Sequence, residues 1–379
     1  MNFAFTQEQE ELRSAARGFL SDHSTSEQVR RAMESELGYD PEVWKRIASE
    51  LGWPAVAIPE AYGGLGLGAV ELTALMEEMG RVLLCAPFFS SVCLAGNALL
   101  SAGSEEQKRE FLPVIAEGRT LATVAWTGPS GVPGAAGIAA TGRRQGDEFV
   151  LRGAWRFVLD GLGADLLVAA ARREGSAGEE GVSLFAIPSD TPGVARRALP
   201  TMDPTRRLAE LTLSDVRVPA SALMGEEGQG WRPLGQALDG AAVALAAEQV
   251  GGAQTCLDLS VAYAKERVQF GRPIGSFQAI KHKCADMMVA VESARSASYY
   301  AACVAADDAG NLPVAASLAK AACSDAYFRC AAESIQIHGG VGFSWEYDVH
   351  LYFKRARSTE IFLGDPAYHR ERVARHVGL

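Results

Sequence analysis

The twelve residues Arg267 to Gln278, R-V-Q-F-G-R-P-I-G-S-F-Q, lie between two long apolar-rich segments of helical pattern. They combine a fixed cation (Arg267), two amides (Gln269, Gln278), aromatic rings (Phe270, Phe277), a glycine (Gly271) and a proline (Pro273). A helix packed only for its core needs no such mixture. A bend that receives the phosphates and flat base of a nucleotide can use each part. Arginine offers a forked cation to a diphosphate, phenylalanine a flat face, and glycine close backbone approach. Proline interrupts the helix at that point. The same residues also suit a helix–turn–helix corner with a surface arginine, and taken alone they do not separate the two readings.

A second stretch, Gln336 to Phe343, reads Q-I-H-G-G-V-G-F and places glycines at 339, 340 and 342. Together the two stretches resemble the acyl-CoA dehydrogenase family of flavoproteins. The family's Arg-x-x-Phe-Gly-x-x-x-x-x-x-Gln element is matched at Arg267, Phe270, Gly271 and Gln278, and its Gln-x-x-Gly-Gly-x-Gly element at Gln336, Gly339, Gly340 and Gly342. The separation of the two elements also agrees, and the resemblance extends over essentially the whole chain.

The resemblance implies an α+β fold: an N-terminal α-helical domain (1–120), a central β-domain (121–225) and a C-terminal four-helix-bundle domain (226–379). It implies FAD as cofactor and the 2,3-desaturation of an acyl-CoA thioester. In that reaction a glutamate removes the α-proton and the flavin takes the β-hydride. Contacts to the diphosphate and adenine half of FAD fall, by resemblance, on Arg267, Gln269, Phe270, Phe277, Gln278, Gln336, Ile337, His338, Gly339 and Gly340. For His338 the contact expected is through the backbone alone.

The same comparison finds the chemistry missing. The family's base stands just before the glycine of an aromatic-Glu-Gly element, which here reads Phe362-Leu363-Gly364. Its alternative position, early in the long helix and often followed by arginine, holds Ala241 and Ala242. No catalytic residue is therefore assigned. Asp239, Glu360 and Asp365 are the nearest acids, and each reads as a solvated surface group; Asp239 is two residues before Ala241, a rotation of roughly 200° on a helix. The family's Thr-Glu-Pro-x-x-Gly-Ser-Asp loop, which borders the flavin ring, aligns with Thr127 to Gly134 and lacks the Glu, Ser and Asp. Its Trp-Ile-Thr element aligns with Phe157-Val158-Leu159, so a hydroxyl is replaced by methyl groups.

In this family each FAD is shared between two subunits. One gives the ring site and base, and its neighbour gives the Arg-x-x-Phe and Gln-x-x-Gly-Gly elements. This chain keeps the donated half alone. The resemblance therefore implies the non-catalytic subunit of an α2β2 enzyme, as in bacterial steroid side-chain degradation. Its partner would be a related chain bearing the glutamate. That partner would bind most of the acyl-CoA and pass electrons to a separate acceptor. The ending G-D-P-A-Y-H-R (Gly364 to Arg370) is similar to that group. Three other readings stand beside it: a self-sufficient homo-oligomeric dehydrogenase with an unrecognised base, a flavin monooxygenase of the same family, and a non-enzymatic scaffold.

The elements that must position these residues are legible in outline. Up to about residue 120 the pattern is helical, with capping boxes at Thr6–Gln9 and Ser104–Gln107 and an Asp40-Pro41 helix start. Leu72, Leu75, Met76, Met79 and Leu83 recur at helical spacing and read as core. The glycine-rich Tyr62 to Gly68 follows no strand, so it reads as a helix connection and not a phosphate loop. Between about 121 and 225 short apolar runs at 149–151, 166–168, 182–187 and 211–218 predict strands, with Gly175 to Gly181 a polar hairpin tip. Helices are expected again at 237–265, 277–306 and 313–336.

Composition agrees with this reading. A net charge of −10 and a pI near 5.3 favour neither nucleic acid nor an anionic membrane. No apolar run is long enough to span a bilayer, and none follows a basic start, so a cytoplasmic protein is expected. The seven cysteines form no C-x-x-C and read as small buried hydrophobes, with no metal site. His282, His350 and His369 lie among lysines and arginines and are expected at the surface.

Overall fold

The computed structural model describes residues 5–379. Its helices are α1 (Gln7–His23), α2 (Ser26–Glu34), α3 (Pro41–Ser49), α4 (Ala69–Arg81), α5 (Asn97–Ala102) and α6 (Glu105–Ala116), then α7 (Trp231–Glu266), α8 (Gln278–Asp307), α9 (Leu312–His338), α10 (Val349–Ile361) and α11 (Pro366–His376). Between α6 and α7 lie β1 (Ala122–Ala125), β2 (Thr141–Gln145), β3 (Glu148–Leu159), β4 (Leu166–Arg172), β5 (Val182–Pro188), β6 (Val194–Leu199), β7 (Leu208–Pro219) and β8 (Leu223–Met224). The capping signals act as read. Thr6 and Ser104 each complete a capping box, and Asp40 accepts from Glu42 and Val43 with Pro41 in the first turn.

Two compact units are present: one comprises the described residues up to Ala32, 69–84 and 242–379, the other 33–68 and 85–241. In the second, the strands form one sheet of order β6-β7-β3-β2-β4-β5-β8, with β1 beside β4 in parallel. Trp155, Phe149, Phe185, Leu167 and Leu211 form its core. A π-helical stretch, Phe89–Gly96, is buried throughout and anchored by hydroxyls: Ser90 Oγ donates to Asp160 Oδ2 (2.6 Å), and Ser91 Oγ accepts from the Ala122 amide (3.0 Å).

In the first unit, α8 and α9 pack on the buried run Ala242–Ala247 of α7. Glycines on α7 allow close crossings: a Cβ on Gly251 would meet the Glu77 carbonyl at 1.9 Å, and one on Gly252 would meet Tyr327 Cζ at 2.3 Å. Arg355 on α10 pairs with Glu248 on α7 at 2.8 Å, and both are almost fully buried.

Three histidines were expected at the surface, and two are not there. His282 is exposed, but His350 is 6 % and His369 1 % exposed. His350 lies on α10 and His369 on α11, both packed into the first unit, and α10 buries Arg355 as well as His350, so neighbouring charge did not report burial. Among the described residues no helix is long and apolar enough to cross a membrane, and no group of three His, Cys, Asp or Glu could hold a metal ion.

Candidate functional site

α7 ends at Glu266, and the Arg267 amide still donates to the Tyr263 carbonyl at 2.8 Å. The chain then makes a small hairpin of β9 (Val268–Gln269) and β10 (Arg272–Pro273), with Gln269 opposite Arg272. The two connecting residues, Phe270 and Gly271, have φ of 52° and 77°. Positive φ at both places is what a two-residue loop of type I′ requires. Glycine takes it freely, whereas phenylalanine pays about 1 kcal/mol or more. Even so, the Phe270 ring is 93 % exposed. A strained aromatic that buries almost nothing in its own chain is placed for something outside it.

Behind the tip, Phe277 meets Phe270 edge-on at 6.2 Å, and the Arg272 guanidinium lies 4.1 Å over the Phe277 ring. The Ile274 amide donates to the Arg267 carbonyl at 2.8 Å and closes the bend. Gly275 is required there, since a Cβ would come within 2.8 Å of the Ala264 carbonyl. Arg267, Gln269 and Gln278 are exposed, and the Gln269 amide donates back to the Val268 carbonyl at 2.8 Å. Among the described residues neither Arg267 nor Arg272 has an ion pair. Arg272 was missed in the sequence. The signal available was its place opposite Gln269, which only the two-residue loop fixes.

The second motif follows α9. Gly339 has φ 64° and ψ −138°, a conformation nearly confined to glycine. Gly339 and Gly340 are exposed, and a Cβ on either would meet nothing within 4 Å, so the turn is open to an approaching group. Gln336 is exposed while Ile337 and His338 are buried. The His338 ring stacks on Tyr263 (4.4 Å, 24°), and its Nδ1–H donates to the Ser334 carbonyl at 2.7 Å. Burial lowers its pKa, and the Ser334 bond opposes this in part. His338 thus leaves its backbone, not its ring, toward the open side. The Tyr263–His338 stack joins the ends of α7 and α9 and brings the two motifs together. Unpaired guanidiniums, exposed amides, aromatic faces and an open glycine turn can hold an anionic group and a flat ring. They fit the diphosphate and base half of a dinucleotide.

The remaining positions are apolar or closed. Leu363 is half-buried against the bundle core of Val243, Ala294 and Cys323, and Ala241 and Ala242 are fully buried. Asp239 departs from the reading as a solvated acid: it is 4 % exposed, just before a stretch of α7, 241–253, that is buried at every position. Glu360 is half-buried and pairs with Arg357, and Asp365 caps α11 by accepting from the Tyr368 amide at 2.7 Å. In the sheet unit, the loop Thr127 to Gly134 bonds to its own surroundings through backbone, Gly128 N–H to the Gly137 carbonyl (2.9 Å) and Arg156 N–H to the Thr127 carbonyl (2.8 Å). A Cβ on Gly128 would stand 2.5 Å from that Gly137 carbonyl, so the loop is built around glycine. Phe157 has φ 60° and is 41 % exposed; Leu159 is buried.

Residues 6–119 match the model of the acyl-CoA dehydrogenase N-terminal domain, and residues 228–378 that of the C-terminal domain. A curated relative, the acyl-CoA dehydrogenase IpdE2 of Mycolicibacterium smegmatis, is 36 % identical over 98 % of this chain and 99 % of its own. The chain belongs to the acyl-CoA dehydrogenase family. Among solved structures, the ChsE4-ChsE5 complex from Mycobacterium tuberculosis is similar at 29 % identity and TM-score 0.89, covering 100 % of this chain and 99 % of that one. The Tcur3481-Tcur3483 steroid ACAD is similar at 32 % identity and TM-score 0.88, covering 98 % of each chain.

Within an acyl-CoA dehydrogenase, an oxidoreductase acting on CH–CH bonds, this set of side chains is lopsided. The polar groups of the hairpin and the glycine turn are exposed. At the positions aligned with the family's base and ring contacts stand leucine, alanine and glycine, which offer neither a carboxylate nor a hydroxyl. The ring half of an FAD site does not fit these residues.

Proposed function

We propose that this chain is the non-catalytic subunit of a heteromeric, FAD-dependent acyl-CoA dehydrogenase. It donates the diphosphate and adenine half of the cofactor site to a related partner that carries the glutamate base. The observation that carries this reading is the contrast between Phe270, strained and 93 % exposed beside two unpaired arginines, and the apolar Leu363 and Ala241. The residues toward FAD are Arg267, Gln269, Phe270, Phe277, Gln278, Gln336 and the backbone from Ile337 to Gly340, with Arg272 added from the hairpin register. Bound flavin supplies the hydride-accepting chemistry, and this chain's groups hold and orient the nucleotide end. The likeness to a complex of two chains and to a steroid ACAD supports an α2β2 assembly and a steroid-derived acyl-CoA as substrate class.

One observation favours a second reading. Asp239 is a buried acid rather than a solvated one, and a self-sufficient enzyme could use it as a displaced base although it lies roughly 200° round α7 from Ala241. Enoyl-CoA formation separates the two. The purified chain alone should form no product from any acyl-CoA, and the complex with a glutamate-bearing relative should form it. Turnover by the chain alone that is lost in Asp239→Asn would establish the second reading.

A further inference from the structure

Lys320 lies in the first third of α9 with no exposed surface, an unusual place for an ammonium. Its three protons are all used: Nζ donates to Ser324 Oγ at 2.9 Å, to the Glu360 carbonyl at 3.0 Å and to the Gly364 carbonyl at 3.1 Å. Among the described residues it has no carboxylate partner within ion-pair distance; the Glu360 carboxylate turns to Arg357 instead. The two carbonyls bracket Leu363. The Leu363 carbonyl is taken as well, by Nε2 of the buried His369 at 3.1 Å.

The bracketed turn has a costly shape. Leu363 has φ 64° and Gly364 φ 105°. Leucine is ill suited to that region, and a Cβ on Gly364 would strike Tyr368 Cδ1 at 2.4 Å. Neither side chain offers the turn a polar contact. Leu363 only rests on the bundle core, and glycine has none. The holding groups are on α9 and α11. Ser324 extends the network to Gln249 on α7 at 3.0 Å, so the turn is fixed to two long helices.

We infer that Lys320 is the positioning residue for position 363, setting the turn's backbone independently of the side chain that position bears. Leucine can then stand where a dehydrogenase has its base without disturbing α10 or α11. This rests on the reading of 363 as the relatives' base position, but its test does not involve flavin. A failure of FAD donation would leave the result intact.

The test is amide hydrogen exchange, followed by mass spectrometry, on the full-length chain. Lys320→Met, similar in length and uncharged, should speed exchange of the peptide spanning 361–365 by more than about tenfold while α8 stays protected. Leu363→Glu and Leu363→Ala should leave that peptide at the wild-type rate. Faster exchange in the Leu363 variants, or none in Lys320→Met, would overturn the inference, as would a uniform rise across the chain. Should Lys320→Met not fold, the wild-type protein serves. Glu360, Asp365, Asp325, Cys323 and His369 surround the ammonium, whose pKa burial lowers to about 8. Raising the pH through that value should add exchange at 361–365 beyond the ordinary base-catalysed increase seen elsewhere. No such excess would refute the clamp.

Discussion

Replacing Arg267 by alanine removes a side chain that does nothing for its own subunit. The guanidinium is exposed and unpaired among the described residues, so the isolated variant should keep its stability within about 0.5 kcal/mol. In the assembled enzyme the same group is proposed to hold the FAD diphosphate. A charge-assisted hydrogen bond of that kind is worth about 1.5–3 kcal/mol, and each 1.4 kcal/mol is roughly tenfold in affinity. FAD affinity of the complex should therefore fall about 10- to 150-fold. Flavin absorbance after gel filtration would show the loss, and fluorescence titration of the apo-complex would measure it. Arg267→Lys keeps the charge but not the fork, so it should recover only part of the affinity. Unchanged flavin retention in Arg267→Ala, with assembly intact, would refute the shared-site reasoning. So would equal weakening in Arg267→Lys and Arg267→Ala, because the diphosphate contact would then not depend on charge.

Leu363→Glu alone should not yield an active homo-oligomer, since Gly128 and Leu159 still offer the flavin ring no polar contact; enoyl-CoA formed by that variant would count against the account. Arg355→Ala breaks the buried ion pair with Glu248, and should destabilise the chain by roughly 3–5 kcal/mol in chemical denaturation; a loss under about 1 kcal/mol would mean the pair is dispensable. His369 is pushed down to about 3 by burial first, then by Lys320 and Arg372. The unfolded chain then binds more protons than the folded one between about pH 6.5 and 3, so stability is lost as pH falls through that window. His369→Gln should flatten that part of the stability–pH curve, and an unchanged slope would remove His369 from the explanation.

Motif residues and element types were legible because they depend on local spacing. Arg267, Phe270 and Gly271 declared a bend, and the capping boxes at Thr6 and Ser104 declared helix starts. What escaped was set by contacts between distant segments. The loop at Phe270–Gly271 became a strained hairpin tip only through the pairing of Gln269 with Arg272. His369 read as a surface group beside its charged neighbours and Asp239 as a solvated acid, yet the fold leaves them 1 % and 4 % exposed. Lys320 gave no sign in an alanine-rich helix, where a lone lysine ordinarily reaches for water; two of its three acceptors are carbonyls forty or more residues away.

The account turns on this chain giving one half of a flavin site and lacking the other, so flavin stoichiometry tests it most directly. FAD per chain should be read for the chain alone and for its complex with a glutamate-bearing relative. No flavin should be retained by the chain alone and about half a flavin per chain in the complex, where cofactor binding also stabilises the assembly. One tightly held FAD per chain in the solitary protein would contradict it.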